Sequence, residues 1–297
     1  MYPRAFEYIR SQSVAEALGH LSRLGEEAKV LAGGQSLIPM MKLRLAGPSY
    51  IVDLGGIPGL SYIREEDGHI ALGAFTRHRE VEESSLLRSR FPIIPEAIGL
   101  VGDVQVRNMG TVGGSLAHGE MGSDWGPVSL ALNAQLRAVG PGGERRIAAK
   151  EFFLDLYTTA LSQNELLAEV LISLPPPNSS GAYLKMVRRA GDFAVASVAM
   201  QMTVDDGGKC LDVGIGLGGV GLTPIKAVKA EAALKGEKVT EAVLRNAAAI
   251  AAQEADPVPD IRGSAEYRRE LVKVLCYRVA NIALGRIRGE AVEGGYV

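Results

Sequence analysis

The rhythm of apolar positions changes along this chain, and each change predicts an element. Val14, Ala17, Leu18, Leu21 and Leu24 recur at helical spacing behind a Ser13/Glu16 capping pattern, which predicts a short amphipathic helix ended by Gly25. Lys29 to Leu31 reads as a buried strand and YIVDL, from Tyr50 to Leu54, as a second. Together they predict a β-α-β unit with a small parallel sheet. From Ile57 the pattern becomes short alternating strands separated by turn clusters such as EEDGH, Glu65 to His69, which points to an antiparallel sheet. A helical interval punctuated by Pro92 and Pro95 covers Thr76 to Leu100, and DVQVRNMGTVGGSLAHGEMGSDWGP, from Asp103 to Pro127, is expected as a long glycine-rich loop. Helix resumes at Pro127 to Leu132; RAVG, RRI and ELLAEVLISL supply further strands.

LPPPNSSG, from Leu174 to Gly181, excludes both helix and ladder and marks a domain boundary. Beyond it AYLKMVRR, ASVAMQMTV and LDVGIGLGGV read as strands, the last two joined through DDGG at Asp205 to Gly208. An alanine-rich helix follows from Thr240. A second runs from Ser264 to Leu284 with Leu271, Leu275, Val279 and Ile282 on one face. The expected class is α+β. Residues 1–176 form a two-part domain (1–56 with the small parallel sheet, 57–176 with a larger antiparallel sheet and helices), and 177–290 form an α+β domain with a three-stranded antiparallel sheet.

Composition narrows the function. A formal net charge of −2 leaves no basic footprint, so nucleic acid and anionic membrane are not expected partners. No stretch reaches the ~20 apolar residues of a membrane span, and MYPRAFEYIR has no apolar h-region, so a cytoplasmic location is expected. The two cysteines, Cys210 and Cys276, cannot hold an iron–sulfur cluster, which takes about four thiolates. The four histidines form no metal-binding spacing; only His118 lies in a candidate loop, where a partly exposed histidine is the ordinary reading. No GxSxG elbow or P-loop GKS/GKT occurs.

Two glycine turns carry the chemistry. LAGGQSLIPMMKLRL, Leu31 to Leu45, follows a strand with paired Gly33 and Gly34, where N–H groups and the Ser36 hydroxyl could cradle an anion. A strand followed by Gly-Gly is commonly just a turn. The echo in GTVGGSLAHG, Gly110 to Gly119, suggests a ligand with two phosphates. Asp124 is either a helix N-cap before Pro127 or an acceptor for ribose or ribityl hydroxyls. Lys185 reads as a solvent-facing strand lysine. Gly214, Gly216 and Gly219 spell GxGxxG, but no helix follows at once, so the dinucleotide reading fails its context test.

With the two loops, Asp124 and Lys185 in place, the sequence resembles the FAD-binding subunits of the molybdenum hydroxylases, the xanthine dehydrogenase and aerobic carbon monoxide dehydrogenase group, and most of all the medium-chain type of the latter. The resemblance covers essentially the whole chain and implies an FAD-binding domain of the vanillyl-alcohol oxidase-like (PCMH) type followed by a flavoprotein C-terminal domain. It implies that Ala32, Gly33, Gly34, Gln35, Ser36 and Leu37, with Thr111, Val112, Gly113, Gly114 and Ser115, hold the diphosphate and adjoining ribityl of non-covalent FAD. It gives Asp124 the nucleotide's hydroxyls, sets Val101 and Leu167 near the flavin, and brings Lys185, Asp192 and Phe193 toward the isoalloxazine. Departures from the family pattern are Gln35 where histidine is common, Met109 where arginine is common, and GEMGSDWGP. The implied partners are an iron–sulfur small subunit with [2Fe–2S] clusters and a large subunit with the molybdenum cofactor, in a dimer of heterotrimers. A stand-alone flavin oxidase of related fold, or a non-catalytic assembly module, is the competing expectation.

Overall fold

Ser13 opens the first helix as its spacing predicts: Ser13 Oγ accepts the Glu16 N–H at 3.1 Å, and the Glu16 carboxylate accepts the Gln12 N–H at 2.7 Å. In the computed structural model, which describes residues 2–296, that helix is α1 (Val14–Leu24), between β1 (Glu7–Arg10) and β2 (Ala28–Leu31). A turn leads to α2 (Leu37–Lys42) and then β3 (Tyr50–Asp53). The strands lie in the order β1-β3-β2, all parallel, and bury Ala17, Leu18 and Leu21 of α1 against Ala28, Val52 and Leu54.

The second part begins with the hairpin β4 (Ile63–Glu66) and β5 (His69–Gly73), followed by α3 (His78–Glu83), α4 (Ser85–Arg90) and α5 (Ile93–Ile98). The expected long loop is largely helical, with α6 (Val104–Met109), α7 (Val112–His118) and α8 (Trp125–Ala131). Side-chain caps account for this correction: Asp103 Oδ1 accepts the Val106 N–H at 2.8 Å, and Thr111 Oγ1 accepts that of Gly114 at 3.0 Å. Next come β6 (Gln135–Gly140), β7 (Gly143–Ala148), α9 (Ala149–Phe152), β8 (Phe153–Asp155), β9 (Thr158–Thr159) and β10 (Leu166–Ser173). The larger sheet runs β4-β5-β10-β6-β7, antiparallel throughout.

Past Leu174 the chain forms β11 (Ser179–Met186), β12 (Ala196–Val204), β13 (Cys210–Gly218) and β14 (Ile225–Lys226). Then follow α10 (Val228–Leu234), α11 (Glu241–Glu254), α12 (Ala265–Ile287) and β15 (Gly295–Tyr296). The three long strands pair as their pattern predicts, but two-residue edge strands enlarge the sheet to β14-β13-β12-β11-β15, with β15 parallel to β11. α11 and α12 cover one face, where Leu244, Ala251, Leu275 and Val279 meet Val198, Met200 and Ile215.

The other face receives α8, which explains the GxGxxG glycines. A β-carbon on Gly214 would overlap the Ala131 carbonyl oxygen, and one on Gly216 the Pro127 carbonyl oxygen. Gly214 and Gly216 bring strand backbone against helix backbone, which fills the space a phosphate would need above them. A clamp closes the same junction: Glu96 pairs with Arg286 of α12 and accepts the N–H groups of Tyr183 at 3.2 Å and Gly294 at 2.9 Å. No helix among the described residues is long and apolar enough to cross a membrane.

Candidate cofactor site

β2 delivers the chain to the end of the parallel sheet, where it turns at Ala32–Ser36 before entering α2. Gly34 takes φ +73°, a conformation open to glycine. Among the described residues, the backbone N–H groups of Gly33 to Leu37 donate to no protein acceptor, while Gly34 O and Ser36 O accept from Ile38 and Met40 at 3.1 Å. Gln35 folds back, its side-chain amide donating to Gly33 O at 3.2 Å.

The second turn is built differently. Val112 donates to Thr76 O at 3.0 Å, Gly113 to Ala74 O at 2.8 Å, Gly114 to Thr111 Oγ1 at 3.0 Å and Ser115 to Thr111 O at 3.0 Å. Its N–H groups are therefore spent on the protein, which corrects the expectation that this echo of the first turn cradles an anion through its backbone. Gly113 is required for packing, since a β-carbon there would stand 2.5 Å from that of Ala74. What this turn presents to its surroundings is the bare face of Gly114 and the Ser115 hydroxyl.

The two turns meet. A β-carbon on Gly33 would overlap the Met109 carbonyl oxygen and stand 2.8 Å from Gly110 Cα, and one on Gly114 would lie 3.7 Å from the Ala32 side chain. The Arg77 guanidinium donates to the same Met109 carbonyl and stacks 4.8 Å from the Phe75 ring centroid.

Further residues converge at the junction of the two sheets. Val101 follows α5, half-buried, and the loop bearing exposed Asp192 and Phe193 folds over that region: a β-carbon on Gly191 would lie 2.9 Å from Gly102 O, and one on Gly122 3.1 Å from the Phe193 side chain. Leu167 is in β10, in the core beneath the second turn, where Ala168 O accepts the Ala74 N–H at 2.9 Å. Tyr296 adds a tie, donating to Leu100 O at 3.3 Å and accepting the Gly191 N–H at 3.2 Å.

Asp124 and Lys185 lie inside this junction. Lys185 is 1% exposed and Asp124 4%, with Nζ 3.0 Å from each carboxylate oxygen; Tyr183 donates its hydroxyl to Asp124 Oδ1 at 2.6 Å. Lys185 also donates to Leu100 O at 3.2 Å. The solvent-facing reading of Lys185 is thus corrected, and Asp124, although at the N-terminal boundary of α8, makes no capping bond. Burial first, and the Asp124 charge second, raise the Tyr183 hydroxyl well above its ordinary range.

Two long segments of the chain match known families: residues 4–176 match the FAD binding domain in molybdopterin dehydrogenase, and residues 181–283 the CO dehydrogenase flavoprotein C-terminal domain. The chain belongs to the FAD-binding subunits of the molybdenum hydroxylases. The carbon monoxide dehydrogenase medium chain of Afipia carboxidovorans is 40% identical over 97% of this chain and 100% of its own length. The 6-hydroxypseudooxynicotine dehydrogenase complex subunit alpha of Paenarthrobacter nicotinovorans is 38% identical over 97% of each. The solved carbon monoxide dehydrogenase of Hydrogenophaga pseudoflava superposes at TM-score 0.94 with 40% identity, over 96% of this chain and 99% of that one.

This molybdenum-hydroxylase flavoprotein is an oxidoreductase component whose cofactor is FAD. The site fits that group: the free N–H groups of Gly33 to Leu37 suit diphosphate oxygens, and Gly33 and Gly114 let the turns approach each other without β-carbons between them.

His78, at the start of α3, is the neighbour that sequence reasoning passed over. It is 2% exposed, its Nδ1 accepts the Trp125 indole N–H at 3.3 Å, and its Nε2 lies 3.2 Å from Ser115 Oγ. Those partners are remote in sequence, so no spacing announced them. His118 is half-buried with its ring centroid 5.0 Å from that of Tyr157. Burial, helped by Arg107 and Arg77, pushes His78 down to about 4 from 6.5. Between those values the unfolded chain binds more protons, so this contribution is complete above the unfolded pKa and is lost as pH falls toward the folded one. Acidification from pH 7 to pH 5 is expected to cost about 2 kcal/mol through this group. Urea unfolding at both pH values checks it; an unchanged pH dependence in His78→Gln would refute the assignment.

Proposed function

We propose that this chain is the electron-transfer subunit of a molybdenum-containing dehydrogenase complex, with FAD held non-covalently where the Ala32–Leu37 and Thr111–Ser115 turns meet. When bound, FAD supplies the redox chemistry that links [2Fe–2S] clusters of a small partner subunit to an external quinone or NAD, with substrate oxidised in a molybdenum-binding large subunit. The observation that carries the reading is the contact of the two glycine turns, one with unspent N–H groups.

In this reading the first turn binds diphosphate through its N–H groups, Ser115 borders it with its hydroxyl, and Thr111 caps the second turn behind it. Val101 and Leu167 bound the apolar side, while Asp192 and Phe193 sit at the open edge on a loop supplied by the second domain, taken as 177–290. Asp124 keeps acceptor capacity on Oδ2 for a ribityl or ribose hydroxyl, because a carboxylate offers about four lone-pair sites and the pair with Lys185 and Tyr183 uses fewer. The lysine holds that carboxylate and strand β11 in register with Leu100. Relatives named for carbon monoxide and for 6-hydroxypseudooxynicotine align over the same span, which supports assigning substrate choice to the large subunit.

Purified protein is expected to take up FAD without a covalent link and to absorb near ~450 nm. It is further expected to co-purify with iron–sulfur and molybdenum subunits in equal amounts, as a dimer of heterotrimers in the cytoplasm. A protein that ignores FAD overturns the proposal, and oxidase activity from this chain alone replaces it with the stand-alone flavin oxidase.

A further inference from the structure

We propose that His78 is a positioning residue for FAD, fixing the Ser115 hydroxyl as a hydrogen-bond donor to the diphosphate; this rests on the FAD site proposed above. Hydrogen-bond polarity sets this arrangement. An indole N–H can only donate, so the 3.3 Å bond from Trp125 obliges His78 Nδ1 to accept. A neutral imidazole whose Nδ1 accepts carries its proton on Nε2. That N–H faces Ser115 Oγ at 3.2 Å and has it as acceptor. The serine oxygen thus receives a proton from behind and keeps its own, which has no protein acceptor among the described residues. A hydroxyl in that state is a donor, the polarity that an anionic oxygen requires.

The surroundings hold the ring in this state. His78 is buried, and the charged groups facing it are Arg77, next in sequence, and Arg107 of α6; both disfavour a second proton on the ring. Arg107 is anchored to Glu82 at 2.9 Å and to Val101 O at 3.1 Å, and Arg77 to Met109 O. Gly110 leaves room for the imidazole, since a β-carbon there would stand 2.7 Å from His78 Cδ2 and 2.9 Å from Nε2. The His78 N–H also donates to Gly110 O at 3.0 Å, so ring and turn are set together. Ser115 follows Gly114, the residue that faces Ala32, which places the hydroxyl beside the contact of the two turns.

The test is a double-mutant cycle on the full chain, with Kd read from flavin fluorescence for FAD and for riboflavin, which lacks phosphate. Ser115→Ala and His78→Met are each expected to weaken FAD about tenfold, as loss of a hydrogen bond to a charged group does. Riboflavin binding is expected to stay within about twofold, and His78→Met should add nothing once Ser115 is alanine. His78→Gln, whose side-chain amide can reach Ser115 as a donor, should restore FAD binding to within about threefold; it also serves if the methionine variant does not fold. Additive losses, equal losses for riboflavin, or a failure of glutamine to rescue would overturn the role of His78 while leaving the FAD site standing. Wild-type protein that binds no FAD would overturn both.

Discussion

Lys185→Met is expected to destabilise the chain by about 3–5 kcal/mol, because it leaves a buried carboxylate without its counter-charge. Asp124 is 4% exposed, and Tyr183 would remain as its donor at 2.6 Å, too little to balance a full charge out of water. The change should lower Tm by roughly 10 °C on the scale of 2–4 °C per kcal/mol for domains of a few hundred residues. Adding Asp124→Asn removes the orphaned charge and should recover at least half of the loss. Denaturant melts of the wild type and the two variants test this; a deficit that Asp124→Asn leaves untouched would contradict the pairing.

Gly33→Val is expected to abolish FAD uptake, at least a hundredfold in Kd, while the C-terminal domain keeps its fold. The reason is steric: the first added carbon collides with the Met109 carbonyl oxygen and crowds Gly110, both backbone, so the two turns must separate. Relief by a side-chain rotation is not open, as it would be at Gly34, where the nearest atom is the end of the Ile38 side chain at 2.7 Å. Flavin absorbance after dialysis against FAD, beside circular dichroism of the same sample, gives the answer. Near-normal loading in a folded Gly33→Val protein would remove the first turn from the site.

The strands were legible because period-two alternation and turn chemistry are local. Ala196–Val204 and Cys210–Gly218 pair through the Asp205 turn, where Gly208 takes φ +78°. The stretch from Asp103 to His118 was misread because its glycine content outweighed two capping residues, whose bonds to Val106 and Gly114 start helices that composition argues against. The site divided along the same line. The glycine turns are contiguous in sequence and could be named; the burial of Lys185 depends on a carboxylate 61 positions earlier, and the place of His78 on Ser115 and Trp125, 37 and 47 positions away. The first pairing joins the start of α8 to strand β11, the others join α3 to α7 and α8, and none exists until those elements pack together. Short helices escaped for another reason: α10 spans seven residues, too few to establish a period.

The seating of α8 on Gly214 and Gly216 has a bearing on how this protein could be divided. Two family segments meet near residue 176, and a cut there would look natural to anyone excising modules. Yet the excised C-terminal piece would carry a strand whose inner face is bare backbone, shaped to a helix left on the other fragment. Uncovered, that flat glycine-lined face invites self-association, and the N-terminal fragment would lose the bed on which α8 lies. The two segments are therefore separable as text but not as objects, and exchange between family members would have to carry α8 together with the sheet it fits.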